Sequence, residues 1–409
     1  MTKVGYKMTE IGEIPEEWEA KPLSKVATYI NGMAFKPSEW RNSGIPIVRI
    51  ENLNSINASF NYYQGKFDSR YLLGNGEILL SWSASLGVYI WNRGKALLNQ
   101  HIFKVIPVEN VSKQFLFWVL HKAVENLSQT THGSTMKHFK KGQLEKTLIW
   151  LPPLPEQQKI AEILATADDE IQKVDEQITL TEQFKKGLMQ RLLTRGIGHT
   201  RFKTTEIGEI PEEWDVKKIR ELRQNIYYGI TAKATKENTN LRMLRTTDIK
   251  NFKFDLNNLP FCQITEKRSD LSKYFLKRND IIIARAGTVG VSILVEENLN
   301  NVLFGSYLIK IIFKQETIDM PFIHYYFQSQ LYWNNISNAQ GSTIKNINLP
   351  FLNSLEIPLP PIPEQQKIAE ILSTVDNKLE LLGTKRDKLN VLKKGLMNDL
   401  LTGKVRVKV

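Results

Sequence analysis

Two stretches of the chain place apolar residues at the spacing of a long amphipathic helix. Apolar residues recur every three or four positions, which is the heptad pattern of helices that pack against another helix. In the first stretch these positions are Leu164, Ala167, Ile171, Val174, Ile178, Leu188 and Leu192. In the second stretch they are Leu372, Val375, Leu379, Leu382, Leu389, Leu396 and Leu400. Polar residues interrupt the two patterns at Thr181, Lys185, Arg386 and Lys393.

The two stretches are copies of one another. The first begins with LPPLPEQQKIAEIL at Leu151, and the second begins with LPPIPEQQKIAEIL at Leu359. Their prolines exclude a helix upstream but are tolerated in its first turn. We therefore predict two helices of about 40 residues, each about 60 Å long. Equal length and matching faces indicate that they pack against each other, and the alternative is that each covers only its own domain.

Glycine interrupts both predicted helices at matching places, Gly187 and Gly395. Inside a helix glycine costs roughly 1 kcal/mol relative to alanine. Either the close approach of another backbone or a kink would explain the pair.

A globular segment precedes each long helix, and these segments also repeat. TEIGEIPEEW begins at Thr9 and again at Thr205. Further along, GEILLSWSASLG from Gly76 matches NDIIIARAGTVG from Asn279. Both segments contain short runs typical of strands, followed by a helical run, which in the second segment is PFIHYYFQSQLYW from Pro321. The repeated unit is therefore a globular domain followed by a long helix.

The pattern as a whole predicts an α+β fold with two similar globular domains and two long helices. In chain order we expect a first globular domain at 1–151, a central helix at 152–196, a second globular domain at 197–358 and a C-terminal helix at 359–409. The strands should form mixed or antiparallel sheets.

Composition narrows the class of protein. A chain of 409 residues with 42% hydrophobic residues is long enough for two or three domains with proper cores. Its one cysteine, Cys262, excludes intrachain disulfides and fits a reducing cytosol. No N-terminal segment has the pattern of a signal peptide, and no apolar run approaches the length of a membrane span. The formal net charge of +12 favours a polyanionic partner such as nucleic acid.

Familiar catalytic motifs are missing from the sequence. It has no GxxxxGK[ST] or GxGxxG loop, no (N/D)PP(F/Y) methyltransferase motif and no HExxH. An acid-x-Lys pair occurs at Glu19 and again at Asp215, but without the upstream aspartate of a nuclease site, and we interpret both as surface charge. His132 and His138 lack a nearby carboxylate pattern. We therefore predict neither catalytic residues nor a metal site.

Other side chains suit contact with DNA. Arginine can pair with guanine edges, and hydroxyl groups and lysine suit phosphate oxygens. The candidates are Arg49, Trp82, Ser83, His132, Ser134, Thr135, Lys137 and His138 in the first domain, and Arg245, Arg285, Thr288, Ser342, Thr343, Lys345 and Asn346 in the second. Two alternatives stay open: the Gly-Ser-Thr loops can be solvated turns that cap a helix, and Arg49 and Arg245 can form internal ion pairs.

With its two PPxPEQQKIAEIL elements, two EIGEIPEEW elements and diverging globular segments between them, the chain resembles the specificity subunits of type I restriction–modification systems. The resemblance implies two target recognition domains and an intramolecular coiled coil of two antiparallel helices. It also implies two modification subunits that dock on the helices with S-adenosylmethionine and methylate adenine, and restriction subunits that use ATP and Mg. The helix residues expected to bind these partners are Gln157, Ile160, Ile163, Phe184, Gln365, Ile368 and Ile371.

Such an arrangement would be pseudo-twofold symmetric and would read a two-part DNA target. Because the two domains differ in sequence, the half-sites should differ, and the helix length should set the spacer between them. The chief alternative is a coiled-coil scaffold that organises protein partners without touching DNA. A scaffold of this kind should ignore DNA even at low salt.

Overall fold

A computed structural model describes residues 4–130, 141–264, 270–340 and 346–408. The chain divides into two compact units. Unit 1 comprises Met1–Asp175 and Thr384–Val409, and unit 2 comprises Glu176–Gly383. The division follows packing rather than chain order, because each unit contains half of each long helix.

Unit 1 is built mainly from short strands. Its strands are β1 (Tyr6–Thr9), β2 (Gly12–Pro15), β3 (Glu19–Pro22), β4 (Ala27–Asn31), β5 (Ile45–Val48), β6 (Asn61–Tyr63), β7 (Leu72–Leu73), β8 (Glu77–Ser81), β9 (Gly87–Trp91), β10 (Ala96–Leu98), β11 (Ile102–Pro107) and β12 (Leu148–Leu151). Its helices are α1 (Ile50–Asn54), α2 (Lys113–Thr130), α3 (Lys141–Lys146) and the first half of α4 (Leu154–Arg195).

Two four-stranded sheets form the centre of unit 1. One has the antiparallel order β4-β11-β8-β9, and the other has the order β6-β5-β10-β7, in which β5 and β10 are parallel. Gly32, just after β4, crosses the backbone of the loop before β11 so closely that a Cβ atom would lie 2.1 Å from the carbonyl oxygen of Asn99. Only glycine fits this crossing.

Unit 2 has strands β13 (Phe202–Thr205), β14 (Gly208–Pro211), β15 (Asp215–Lys218), β16 (Arg223–Tyr228), β17 (Ala232–Thr235), β18 (Arg242–Leu244), β19 (Phe261–Ile264), β20 (Phe275–Leu276), β21 (Ile281–Ala284), β22 (Ser292–Leu294), β23 (Leu299–Phe304), β24 (Leu308–Phe313) and β25 (Glu356–Leu359). Its helices are α5 (Ile219–Leu222), α6 (Met320–Tyr326), α7 (Gln330–Gln340), α8 (Leu349–Ser354) and the first half of α9 (Ile362–Leu400).

The sheets of unit 2 repeat those of unit 1. The order β16-β24-β21-β22 matches β4-β11-β8-β9, and β19-β18-β23-β20 matches β6-β5-β10-β7, with β17 added at one edge. Even the glycine crossing recurs, since a Cβ atom on Gly229 would lie 2.1 Å from the carbonyl oxygen of Gly305. The prediction of an α+β fold in two similar copies is confirmed.

The two long helices pack antiparallel within each unit. In unit 1 Leu164, from the start of α4, shares a core with Leu400, from the end of α9. In unit 2 Leu192, from the end of α4, shares a core with Leu372, from the start of α9. The predicted helix pairing is therefore confirmed, and the buried part of the apolar seam lies in these cores.

The two motifs that recur in the sequence bind each other in the structure. In unit 1 the indole Nε1 of Trp18, from the EIGEIPEEW motif, donates a hydrogen bond of 2.9 Å to Glu156, from the PEQQ motif. In unit 2 Trp214 donates in the same way to Glu364, also at 2.9 Å. Glu156 additionally accepts two hydrogen bonds from the guanidinium group of Arg406 in the C-terminal tail. These contacts join each globular domain to the start of a long helix.

One predicted helix is in fact two. The run from Pro321 to Trp333 is divided, because α6 ends at Tyr326 and α7 begins at Gln330. Ser329 lies at the break: its Oγ atom accepts a hydrogen bond from the backbone N–H of Tyr332 and so caps the second helix. The apolar pattern of the run did not reveal this cap.

The glycines of the long helices have no packing role within the described residues. Both helices continue through Gly187 and Gly395, and a Cβ atom at either position would meet no described atom within 4 Å. The suggestion of a close backbone approach is therefore not supported within this chain. In the described part of the sequence, no helix is long and apolar enough to cross a membrane.

Candidate functional site

Polar and aromatic side chains gather at one edge of the sheet β4-β11-β8-β9 in unit 1. Because β11 is antiparallel to β4 and β8, the ends of those two strands meet its beginning at the same edge. There the Nε1 atom of Trp82 donates a hydrogen bond of 3.3 Å to Asn31. The Trp82 ring packs against His101, with ring centroids 5.5 Å apart. We call Asn31, Trp82 and His101 the strand-end cluster of unit 1.

The equivalent edge of unit 2 carries different chemistry. The Arg285 guanidinium lies over the ring of Tyr228, 4.7 Å from its centroid. The backbone N–H of Arg285 donates a 2.9 Å hydrogen bond to the carbonyl of Tyr307, whose side chain is 65% exposed. The carbonyl of Arg285 accepts a hydrogen bond from Ile347. We call Tyr228, Arg285 and Tyr307 the strand-end cluster of unit 2.

Each cluster has a polar atom without a protein partner. Among the described residues neither the Nδ1 atom of His101 nor the Nε atom of Arg285 has a hydrogen-bond partner, although both atoms are buried. A buried polar atom in this state is costly, and such groups are normally satisfied by water or by a ligand. The two unsatisfied atoms occur at the same edge of the same sheet in the two units. That edge is therefore the best-marked binding surface of each unit.

The sequence identified only part of these clusters. It singled out Trp82 and Arg285 from the matched strand repeats, and the structure places them at equivalent points. It missed the other four cluster residues, Asn31, His101, Tyr228 and Tyr307, because they are distant in sequence from the matched motifs. All four lie at or next to the end of a strand, but that position has no meaning until the strands are paired.

Arg49 and Arg245 follow equivalent strands, β5 and β18. The guanidinium of Arg245 donates to both carboxylate oxygens of Asp248, at 2.9 and 2.7 Å, and these bonds raise the pKa of Arg245. Arg49 pairs with Glu51 at 3.0 Å and donates to Asn61 at 2.8 Å. The structure thus shows the internal ion pairs that the sequence left as an alternative. Their side chains remain 35% and 42% exposed, so contact with DNA stays a prediction.

The other predicted DNA contacts are placed only in part. Ser83 is half-buried beside Trp82, and Thr288 and Asn346 are exposed. The loop of Thr288 lies near the Arg245 turn, since a Cβ atom on Gly287 would be 3.5 Å from the Oγ1 atom of Thr246. The remaining candidates lie outside the described residues: His132, Ser134, Thr135, Lys137, His138, Ser342, Thr343 and Lys345.

The predicted partner-binding surface of the helices needs correction at four positions. Ile160 and Ile368 are fully buried in the cores of their own units, and Gln157 and Gln365 are 1% exposed. Ile163 and Ile371 are half-buried against the same cores. Gln157, Ile160, Gln365 and Ile368 therefore serve their own units and offer no surface to a partner. Phe184 is 60% exposed, and its contact with a partner subunit stays a prediction.

The described residues contain no group of three or more His, Cys, Asp or Glu side chains that could hold a metal ion. Cys262 is a free, buried thiol whose pKa is raised by burial. The best-marked sites are thus two polar and aromatic surfaces suited to binding.

Comparison with known proteins shows which family shares this sequence and fold. A family model described as the type I restriction modification DNA specificity domain matches residues 15–182 and 211–391. The type I restriction enzyme MjaVIII specificity subunit of Methanocaldococcus jannaschii is 31% identical, over 97% of this chain and 94% of its own length. The EcoBI specificity subunit of Escherichia coli is 26% identical, over 87% and 78%.

A solved structure shows the same fold. The S subunit of a type I restriction–modification system from M. genitalium superposes with a TM-score of 0.56 at 15% identity, over 98% of this chain and 99% of that one. The family model covers most of the sequence in two copies, as the internal repeat requires. The chain therefore belongs to the family of specificity subunits of type I restriction–modification systems.

Proposed function

We propose that the chain reads a two-part, asymmetric DNA target, with one unit on each half-site. The observation that carries this proposal is the pair of strand-end clusters, which occupy the same edge of the same sheet but differ in chemistry. A shared scaffold gives both units the same way of approaching a duplex. Different side chains at the shared edge would give them different sequence preferences.

The clusters suit base contacts of different kinds. The Arg285 guanidinium can donate two hydrogen bonds to the O6 and N7 atoms of guanine, which is the commonest specific contact of arginine in the major groove. Asn31 can bond bidentately to adenine, while Trp82 supplies an apolar face. Exposed Tyr307 adds a hydroxyl group within reach of bases or phosphates. We therefore expect unit 2 to favour guanine and unit 1 to favour another base at the equivalent position.

The long helices would set the distance between the half-sites. A 42-residue helix such as α4 extends for about 63 Å. This length supports a spacer of fixed size between two separately read sequences. The net charge of +12 supports association with the phosphate backbone.

The rest of the reaction would come from partner subunits. We propose that two modification subunits dock on the helices and bring S-adenosylmethionine and adenine methylation, and that restriction subunits bring ATP and Mg. The chain itself would be non-catalytic and would act in the cytoplasm, where the free thiol of Cys262 is stable.

Co-expression with the modification subunits, followed by mapping of methylated adenines, tests the proposal. Wild-type complexes should methylate one two-part sequence. Arg285→Ala should weaken recognition at one half-site by about 1–3 kcal/mol and leave the other half-site unchanged. Trp82→Ala should affect only the other half-site. Arg220→Ala, an exposed arginine of unit 2 away from the cluster, is the matched control. A complex that assembles but never binds DNA, even at low salt, would support the scaffold alternative instead.

A further inference from the structure

The lysines that interrupt the heptad pattern form ion pairs across the two long helices. In unit 2 the Nζ atom of Lys185, from α4, lies 2.7 Å from the carboxylate of Asp376, from α9. In unit 1 Lys393, from α9, forms the corresponding ion pair with Asp168, from α4. All four side chains are at most 36% exposed, so both ion pairs are half-buried.

Each lysine also contacts the globular part of its unit. Lys393 lies 4.9 Å from the ring centroid of Trp118, which belongs to α2. Lys185 lies 5.4 Å from the ring centroid of Tyr325, which belongs to α6. The Tyr325 hydroxyl donates a 2.8 Å hydrogen bond to Asp376. The same charges therefore join helix to helix and the helix pair to a globular domain.

The repeat explains why these charges favour one orientation. Lys393 follows Lys185 by 208 residues, and Asp376 follows Asp168 by 208 residues, so the two helices carry the same charge at the same repeat position. A parallel pairing in register would place lysine opposite lysine and aspartate opposite aspartate. Only the antiparallel pairing places opposite charges together.

The charges also favour one register. A heptad seam repeats every seven residues, so the apolar contacts alone tolerate a slip of one heptad. Counting from the contact of Lys185 with Asp376, a slip of seven residues would place Lys185 opposite Ala369 or Gly383. In either slipped register Lys185 loses its carboxylate. The same two slips would place Lys393 opposite Ala161 or Asp175, so each slip breaks at least one of the two ion pairs. A polar residue at a seam position is known to specify register in this way at some cost in stability.

We infer that the Lys185–Asp376 and Lys393–Asp168 pairs are positioning elements that select the orientation and register of the helix pair and thereby fix the spacer of the DNA target. The effect on the DNA spacer rests on the proposed function, whereas the effect on the orientation and register of the helix pair does not.

A variant in which all four residues are replaced by leucine separates positioning from stability. Replacing a buried ion pair by apolar residues of similar size is often neutral or stabilising. The leucine variant should therefore unfold at or above the wild-type temperature. A slip of one heptad moves the helices by about 10 Å, which corresponds to about three base pairs. In the co-expressed complex, the preference of the leucine variant for one spacer over spacers about three base pairs longer or shorter should therefore fall at least tenfold.

A cysteine cross-link reports the register without DNA. By the count from Lys185 and Asp376, Ile178 faces Gly383 in the native register, and both are half-buried. A Cβ atom at Gly383 would meet no described atom within 4 Å, so a short bifunctional thiol reagent is needed to join Ile178→Cys to Gly383→Cys. This cross-link should form efficiently in the native background, where Cys262 is buried. The yield should fall in the leucine variant. Native cross-linking yield and native spacer preference in a folded leucine variant would overturn the inference.

The exchanged variant Lys185→Asp with Asp376→Lys covers the case in which the leucine variant does not fold. The exchange restores an opposite-charge pair in the same register, so cross-linking should approach the wild-type yield, whereas Asp376→Lys alone should reduce it. Failure of the exchanged pair to recover cross-linking would overturn the inference. If the wild-type complex reads no two-part target, the proposed function fails, and the cross-linking result still decides the role of the ion pairs.

Discussion

Gln365 is the side chain whose removal best separates a structural role from a partner-binding role. Its Oε1 atom accepts a 2.9 Å hydrogen bond from the backbone N–H of Asp319. Its Nε2 atom donates to the carbonyl oxygens of Thr317 and Pro360, at 3.1 and 2.9 Å. The side chain is 1% exposed, and Gln157 makes the equivalent three bonds in unit 1. Gln365→Ala would leave three backbone groups without their partner.

The expected cost follows from these three bonds. Each hydrogen bond contributes about 1 kcal/mol net, and a buried N–H left unsatisfied costs more, so the variant should lose about 3 kcal/mol of unfolding free energy. For a unit of this size the corresponding drop in Tm is roughly 6–12 °C. Calorimetry of the isolated subunit measures it. Gln366→Ala is the matched control, because Gln366 is the adjacent residue and is exposed.

A partner-binding role would give the opposite result. In that case Gln365→Ala would melt like the wild type and only its binding to modification subunits would weaken. That outcome would refute the structural interpretation of the amide. The same comparison is available in unit 1 with Gln157→Ala and the exposed neighbour Gln158→Ala.

Three further predictions concern stability. Burial, reinforced by Lys185, lowers the pKa of His324 to about 4. The ordinary pKa of histidine is about 6.5, so on acidification the unfolded chain binds a proton at this residue before the folded chain does. The unfolding free energy of unit 2 should therefore fall by roughly 2–3 kcal/mol between pH 7 and 4.5. In urea unfolding measured at several pH values, His324→Phe should remove most of this dependence on pH. Arg406→Met leaves the buried Glu156 carboxylate without its cation and should destabilise unit 1 by roughly 2 kcal/mol. Hydrogen exchange should show faster exchange in unit 1 and no change in unit 2. Gly187→Ala and Gly395→Ala fill open space and should each stabilise the isolated subunit by up to about 1 kcal/mol in thermal unfolding; a loss of stability would show that the glycines are needed within the chain.

Recognition of the long helices from sequence depended on periodicity. A seam such as Leu164, Ile171 and Val174 is a local property, because helix geometry fixes which residues share a face. The duplicated motifs likewise indicated two similar units before any contact was known. The position of Ser329 shows the limit of this reasoning, because a single capping hydroxyl divides a helix whose apolar pattern continues across the break.

The candidate site was harder to predict because it is assembled from strand ends. Trp82 and Arg285 were recognised through matching motifs, but their neighbours come from loops far away in the chain. Which loops meet is decided by the pairing of β11 with β4 and β8, and of β24 with β16 and β21. No local pattern contains that pairing, since strand neighbours are set by packing over long sequence separations.

The sequence by itself determined the repeat and the two long helices, because these follow from local spacing and from the duplicated motifs. Tertiary structure alone decided what the polar residues within those patterns do. It showed that Gln157 and Gln365 are buried within their own units, and that Lys185 and Lys393 pair with aspartates of the opposite helix. The physical reason is that a polar residue on an apolar face has no preferred partner until packing brings one within hydrogen-bond distance.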